Sequence, residues 1–154
     1  MNTLKTGDTA PLFTLQNQFN ETISLQGCLD KGPVLVYFYP KASTPGCTVQ
    51  AQGLRDIKQQ LDNLNITVLG ISPDPVAKLQ KFSDKQALNF HLLSDEGHAV
   101  ADAFGVWGEK KFMGKTFDGI HRLSFIVGTE GKVTQFINKF KTKDHHEVVL
   151  ELFK

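Results

Sequence analysis

Residues 34–56, VLVYFYPKASTPGCTVQAQGLRD, join an apolar run to a segment with helical spacing. The run Val34–Tyr39 contains only aliphatic and aromatic side chains, which is typical of a strand covered on both faces. Thr44 and Pro45 then form a helix-start signal, because threonine is a favoured N-cap and proline suits the first helical position. We expect the helix to bury one face, formed by Leu54, Ile57, Leu61 and Leu64. The stretch therefore predicts a strand, a short loop and a helix.

The rest of the chain alternates between strand and helix patterns. Before residue 34 we predict a β-hairpin from Leu12 to Leu25 and a loop, GCLDKGP. After residue 56 we predict a strand at Ile66–Ser72, a helix marked by Val76, Leu79 and Phe82, and a short strand in FHLLSD. A helix from Glu96 to Phe104, ended by Gly105, and a hairpin of HRLSFIVG and KVTQFINKF around Thr129–Gly131 follow. The last predicted element is a helix from about Asp144 with Val148, Val149, Leu150 and Phe153 facing inward. This order predicts an α/β fold with a mixed sheet and helices on both faces.

Composition narrows the class of protein. A length of 154 residues without linkers or repeats suits a single domain, residues 1–154. A net charge of +1 argues against nucleic-acid binding, and no apolar run approaches the roughly 20 residues that cross a bilayer. The opening MNTLKTGDTAPLF lacks the apolar core of a signal peptide, which favours the cytoplasm. The five histidines show no metal-ligand spacing and no glycine-rich phosphate loop occurs, so we expect no metal or cofactor.

The helix start gives Cys47 a special position. With Thr44 as N-cap, Gly46 is the second helical residue and Cys47 the third. The first turn of a helix presents unpaired N–H groups and a positive dipole end, and a cysteine there ionises to the thiolate more readily. Gly46 leaves the backbone open to a small reactant. Position alone leaves two interpretations equally open, a reactive thiol and a buried apolar side chain.

Pro40, Thr44 and Cys47 form the pattern P-x-x-x-T-x-x-C, here PKASTPGC. With the later LLSDEGHAVADAFGVWGEKKFMGKTFDGIHRLSFIV and FKTKDHHEVVL, this pattern resembles the peroxiredoxin Q, or bacterioferritin-comigratory, subfamily of peroxiredoxins. The similarity extends over nearly the whole chain in one consistent order. It implies a thioredoxin-like fold and a thiol peroxidase that reduces hydrogen peroxide and organic hydroperoxides.

The resemblance also implies a role for each matching residue. Cys47 would be the peroxidatic nucleophile that becomes a sulfenic acid, and Thr44 would hydrogen-bond the peroxide and the thiolate through its hydroxyl. Pro40 would shield the sulfenate from water and over-oxidation. Arg122, in GIHRLSF at the start of an apolar strand, would hold the thiolate ionised. An arginine in such a place needs an anionic partner, and a surface salt bridge at the strand end is the alternative.

The chain departs from the subfamily at the resolving cysteine. Many members carry one five residues after the peroxidatic cysteine, where this chain has Gln52, and others carry one near Phe82 and Ser83. Cys28 precedes the strand that Cys47 follows, roughly 20 Å away, whereas a disulfide needs Cα atoms within about 7 Å. We therefore expect an inert Cys28 and a one-cysteine cycle completed by thioredoxin or by glutathione with glutaredoxin. The resemblance further implies a monomer.

Other functions remain as alternatives. A cysteine hydrolase would pair Cys47 with a histidine base, and a thioredoxin-fold binding module would need no reactive thiol. A thiol-disulfide oxidoreductase is disfavoured because the chain has no C-x-x-C pair.

Three features of the second half of the chain have more than one interpretation. Trp107 and its neighbouring phenylalanines are expected to pack the loop 105–119 onto the body, the alternative being an apolar wall for alkyl hydroperoxides or a docked reductant. The neighbouring lysines suggest a solvated face or a weak docking site for an acidic thioredoxin. His145 and His146 are expected to cap the last helix. The phenylalanines are Phe104, Phe112 and Phe117, and the lysines are Lys110, Lys111 and Lys115.

Overall fold

The computed structural model describes all 154 residues and places seven strands in one mixed sheet. The strands are β1 Thr14–Asn17, β2 Thr22–Ser24, β3 Val34–Phe38, β4 Thr67–Ser72, β5 His91–Ser94, β8 Ser124–Val127 and β9 Val133–Ile137, and a separate pair consists of β6 Trp107–Phe112 and β7 Lys115–Ile120. The order across the sheet is β2-β1-β5-β4-β3-β8-β9. Strand β3 pairs in parallel with β4 and antiparallel with β8. The predicted mixed sheet is therefore confirmed.

Helices cover both faces of this sheet. They are α1 Leu25–Leu29, α2 Pro45–Asp56, α3 Lys58–Asn63, α4 Val76–Gln86, α5 Ala99–Phe104 and α6 His145–Glu151. Residues of α1 and α5 belong to one hydrophobic core, and residues of α2, α3, α4 and α6 belong to the other. None of the six combines the length and apolar character that a bilayer crossing requires. The prediction of helices on both faces is confirmed.

Strand β3 connects the two cores because its side chains alternate between them. Val34, Val36 and Phe38 enter the core beneath α1 and α5. Leu35 and Tyr37 enter the core beneath α2 and α6. All five residues are buried, as expected for a strand whose sequence is apolar on both faces. The loop that follows β3 therefore leaves from the centre of the sheet.

The helical boundaries differ from the sequence prediction in three places. The helix after Pro45 is interrupted at Ile57 (φ −102°, ψ 11°), so α3 is separate and Leu64 is 40% exposed rather than buried. The loop GCLDKGP begins inside α1, which Ser24 caps by accepting a hydrogen bond from Gly27 N–H. Helix α5 begins later than predicted, because the buried Asp95 carboxylate accepts hydrogen bonds from its first-turn N–H groups.

The segment predicted as a packed loop after α5 is instead the β6–β7 hairpin. Phe104 is buried and Trp107 stacks on the His98 ring at a centroid distance of 3.7 Å, so the base of the hairpin is packed as expected. Phe112 and Phe117 are 67% and 47% exposed, and the prediction that they pack onto the body is wrong. The two strands pair only with each other, and the far end of this ribbon extends into solvent.

Helix α6 is held by the side chains that it buries in the core shared with α2, not by a histidine cap. Asp144 is the N-cap residue, and Val149 is fully buried. His145 is also fully buried, with its Nε2 atom 2.8 Å from the Ser124 hydroxyl of β8. The prediction that His145 caps the helix is therefore wrong, because the side chain points into the protein. The remaining inward residues, Val148, Leu150 and Phe153, are partly buried.

Candidate active site

Cys47 lies in the first turn of α2, as the capping pattern predicts. Thr44 is the N-cap with extended geometry (φ −87°, ψ 155°), and Pro45 is the first helical residue. The Cys47 side chain points into the protein and is 2% exposed. Its sulfur therefore meets the positive end of the helix dipole in surroundings with little water, which strengthens electrostatic interactions.

Arg122 is the hydrogen-bond partner of the Cys47 sulfur. Its Nη2 atom lies 3.3 Å from Sγ, and its Nη1 atom donates to Gln50 Oε1 at 2.7 Å. The residue lies in the connection between β7 and β8, two positions before Ser124 begins β8, rather than within a strand as predicted. No carboxylate forms an ion pair with Arg122. The surface salt bridge considered from sequence is therefore absent, and the Cys47 sulfur and Gln50 Oε1 are the side-chain partners of the guanidinium.

Gln50 is a site residue that the sequence analysis missed. It is fully buried on α2, one turn after Cys47, and its side-chain oxygen orients the guanidinium of Arg122. A residue three positions along a helix lies on the same face, so the spacing from Cys47 was the available signal. Polarity at an otherwise buried position of α2 gave a second one.

Thr44 and Pro40 border the site without touching the sulfur through a hydrogen bond. The Thr44 hydroxyl donates to the Lys41 carbonyl at 2.8 Å and caps no N–H group of the helix. Pro40 is half-buried in the same loop. Ser43, between them, adopts a left-handed backbone (φ 65°), which is costly for a residue other than glycine. The loop thus keeps a strained conformation directly before the helix.

Asp74 holds this loop in place and was also missed from sequence. Its carboxylate is 6% exposed and accepts hydrogen bonds from Ala42 N–H and from the Ser72 hydroxyl, both at 2.8 Å. Asp74 lies after β4, the strand next to β3, so both turns emerge at the same end of the sheet. Its position between two prolines suggested only a turn, and nothing local in the sequence indicated the contact.

Gly46 affects the approach to the guanidinium. A Cβ atom at this position would lie 3.5 Å from Arg122 Nη2 and 3.5 Å from Thr142 Cγ2, at ordinary contact distance. Glycine is therefore not required by packing. The gap between Arg122 and Thr142 has the width of one methyl group, so the expectation that Gly46 admits a small reactant stays a prediction.

Three buried groups near the site, Tyr37, Tyr39 and His145, are neutral. Burial raises the pKa of the Tyr37 and Tyr39 phenols. Burial also lowers the pKa of His145 to about 3, with smaller contributions from His146 and Arg122. No histidine nitrogen hydrogen-bonds with the Cys47 sulfur, so the arrangement lacks the base that a cysteine hydrolase needs.

The second cysteine is on the other side of the sheet. Cys28 belongs to the core beneath α1 and α5, whereas Cys47 belongs to the core beneath α2. Both thiols are free, and burial raises the pKa of Cys28. At the position expected for a resolving cysteine, Gln52 donates a hydrogen bond to Gln86 of α4 at 2.9 Å. That side chain ties α2 to the neighbouring helix.

The chain is similar to known proteins over most of its length. The AhpC/TSA family model matches residues 6–136. Peroxiredoxin Bcp of Escherichia coli is 55% identical over all of this chain and 98% of its own length. PrxQ of Xylella fastidiosa has a crystal structure with a TM-score of 0.91 and 28% identity, covering 99% of this chain and 97% of that one.

A third relative adds information on substrates. The bacterioferritin comigratory protein of Xanthomonas campestris, whose structures concern its alkyl peroxide reduction activity, is 34% identical with a TM-score of 0.85. The match covers 91% of this chain and 88% of that one. The thioredoxin-like fold expected from sequence is thus confirmed.

Proposed function

The chain belongs to the AhpC/TSA family and is a peroxiredoxin, a thiol-dependent peroxidase, and from this premise we propose that Cys47 is its peroxidatic residue. The observation that carries the proposal is the contact of Arg122 Nη2 with Cys47 Sγ at 3.3 Å, at the start of α2. A guanidinium and a helix N-terminus both favour the thiolate, which is the nucleophilic form of cysteine.

The thiolate of Cys47 attacks one oxygen of the peroxide. The S–O bond forms as the O–O bond breaks, and the bonding electrons leave with the second oxygen, which takes a proton and departs as water or an alcohol. Arg122 stabilises the charge that develops on the leaving oxygen, as do the free N–H groups of the first helical turn. Thr44 lies at the same entrance, and its hydroxyl exchanges the Lys41 carbonyl for the peroxide when substrate binds. Pro40 shields the resulting sulfenic acid.

The substrates are hydrogen peroxide and organic hydroperoxides. The alkyl peroxide reduction of the Xanthomonas relative supports the second class. Gly46 adds no side chain next to Arg122 Nη2, so the peroxide meets only backbone on that side of the guanidinium.

The cycle uses one cysteine. Cys28 is separated from Cys47 by the sheet, and Gln52 cannot form a disulfide. The Cys47 sulfenic acid therefore condenses with an external thiol to give a mixed disulfide and water, and a second thiol releases the reduced enzyme and a disulfide. Thioredoxin, or glutathione with glutaredoxin, supplies these thiols. The Gln52–Gln86 hydrogen bond favours this route because it helps to keep α2 folded while Cys47 is oxidised.

The domain organisation, the oligomeric state and the location that we propose are those expected from the sequence. Residues 1–154 form a single peroxiredoxin domain that acts as a monomer in the cytoplasm. It requires no bound cofactor, because the thiol provides the chemistry.

Two cysteine variants test the proposal. We expect Cys47→Ser to abolish peroxide consumption and Cys28→Ser to retain it, measured with thioredoxin and with glutathione and glutaredoxin in parallel. Mass spectrometry after one equivalent of peroxide should show one added oxygen on Cys47. Peroxidase activity that survives in Cys47→Ser would refute the assignment of the nucleophile. A disulfide between Cys28 and Cys47 within one chain would refute the one-cysteine cycle alone.

A further inference from the structure

Lys110 of β6 points toward the active site, in contrast to the lysine next to it. Its Nζ atom donates to the Ile120 carbonyl at 2.7 Å and its side chain is half-buried. Lys110 is opposite Phe117 in the hairpin register, so the side chain reaches three residues further along β7. Lys111 lies on the other face of the ribbon and is exposed. The interpretation of both lysines as one solvated face is therefore incomplete.

Gly119 leaves room for the path of this side chain. A Cβ atom at position 119 would lie 3.3 Å from Lys110 Cδ, which is tighter than an ordinary contact. The aliphatic part of Lys110 thus lies across the glycine, and the ammonium group reaches the end of β7. This is the end of the hairpin from which the chain continues to Arg122.

The peptide before Arg122 is held by three contacts with the base of the hairpin. Lys110 holds the Ile120 carbonyl, and the His121 backbone N–H donates to the Val106 carbonyl at 2.8 Å. The His121 ring Nε2 lies 3.0 Å from the Glu109 carbonyl oxygen. Arg122 lies outside any strand, so these contacts replace the ladder hydrogen bonds that a strand would provide. Among the side chains involved, only Lys110 brings a permanent charge.

The ammonium and the guanidinium are two cations without a carboxylate partner. Burial lowers the pKa of Lys110, Arg122 lowers it further, and an ionised Cys47 raises it. The remaining titratable groups that face the sulfur or the guanidinium are Tyr37, Tyr39 and His145, all neutral through burial. No carboxylate therefore competes with the Cys47 sulfur for the guanidinium, whose Nη2 atom lies 3.3 Å from Sγ.

We propose that Lys110 is a positioning residue of the peroxidase reaction, which orients Arg122 through the Ile120 carbonyl and thereby keeps the guanidinium against the Cys47 sulfur. This inference rests on the proposed role of Cys47 as the nucleophile. It assigns the β6–β7 hairpin a function in the chemistry.

The test compares Lys110→Met with the matched variant Lys111→Met. The rate of Cys47 alkylation by iodoacetamide, an uncharged reagent, is measured across pH in a Cys28→Ser background, together with single-turnover peroxide reduction. We expect Lys110→Met to slow both reactions at neutral pH by about 3- to 10-fold, the range that a weaker, partly screened contact between the guanidinium and the sulfur produces. Lys111→Met should leave both rates unchanged, and Lys110→Arg should restore them.

The pH profile separates charge from structure. Where the thiol is fully ionised in every variant, the alkylation rates should converge, whereas a merely structural defect would slow alkylation equally at every pH. A constant difference, or equal rates for Lys110→Met and Lys111→Met, would overturn the proposal. If Lys110→Met does not fold, Lys110→Gln against Lys110→Arg provides the same comparison. Because alkylation needs no peroxide, this result is independent of whether Cys47→Ser abolishes peroxidase activity.

Discussion

Replacing His145 with glutamine should change how the stability of the protein depends on pH. The imidazole is fully buried between α6 and the sheet, with its ring centroid 5.8 Å from that of Tyr37 and 4.5 Å from that of Phe140. Burial lowers its pKa from 6.5 to about 3. Glutamine has no ionisable group, and its side-chain amide nitrogen can still donate to the Ser124 hydroxyl that His145 contacts.

The direction in which stability changes with pH follows from proton binding in the folded and unfolded states. Between pH 6.5 and 3 the unfolded chain binds a proton at His145 that the folded protein does not bind. The stabilisation associated with the neutral ring is thus complete above pH 6.5 and is lost as the pH falls toward 3. At pH 5 the loss spans one and a half pH units at about 1.4 kcal/mol each, or about 2 kcal/mol. Shifts at other groups, such as His91 and Asp95, are common to both proteins and cancel in the comparison.

Urea unfolding at pH 7 and pH 5 measures this effect. We expect the unmodified protein to lose about 2 kcal/mol more than His145→Gln between these two values. The variant will be less stable at pH 7 because it loses ring packing, so the pH difference rather than the absolute stability is the test. Parallel losses in the two proteins would refute the reasoning. An NMR titration of the His145 ring in the unmodified protein gives an independent answer if the variant fails to fold.

Two further substitutions test the supports of the site. Gly53→Ala would place a Cβ atom 2.4 Å from His146 Nδ1. We expect this substitution to reduce the free energy of unfolding by about 1–3 kcal/mol, because α6 must shift away from α2. An unchanged urea midpoint would contradict this packing. Asp74→Ala leaves the Ala42 N–H and the Ser72 hydroxyl without their acceptor. We expect it to lower the free energy of unfolding by about 2 kcal/mol, measured by thermal melts, and to slow peroxide reduction. Full activity would show that the loop before α2 does not depend on this carboxylate.

The strand, loop and helix around Cys47 could be predicted because their signals are local. An apolar run, a threonine at the N-cap position and a proline at the first helical position act within a few residues, and all three positions are as expected, although the Thr44 hydroxyl bonds the Lys41 carbonyl instead of a helix N–H. Arg122 was found through family resemblance, and its placement outside β8 was not foreseen. A pattern of alternating apolar residues identifies a strand but does not specify where its hydrogen-bonded pairing begins.

The features that were missed depend on contacts between distant segments. The Asp74 carboxylate holds Ala42 across 32 positions, and no local pattern encodes such a bond. The β6–β7 hairpin was predicted as a loop because its exposed Phe112 and Phe117 suggested packing, whereas the two strands are stabilised mainly by pairing with each other. His145 is a polar residue of helix α6 whose burial depends on a serine of strand β8. Tertiary partners decide each of these cases.

The stacking of Trp107 on His98 makes the hairpin optically visible. Trp107 is the only tryptophan of the chain, and its indole lies parallel to the imidazole with an interplanar angle of 1°. Indole emission depends on the groups in van der Waals contact with the ring, so separation of the two rings alters the fluorescence of the whole protein. The natural sequence thus carries a label-free sensor at the base of the hairpin whose second strand leads to Arg122, and a fluorescence measurement reports whether the two rings are in contact.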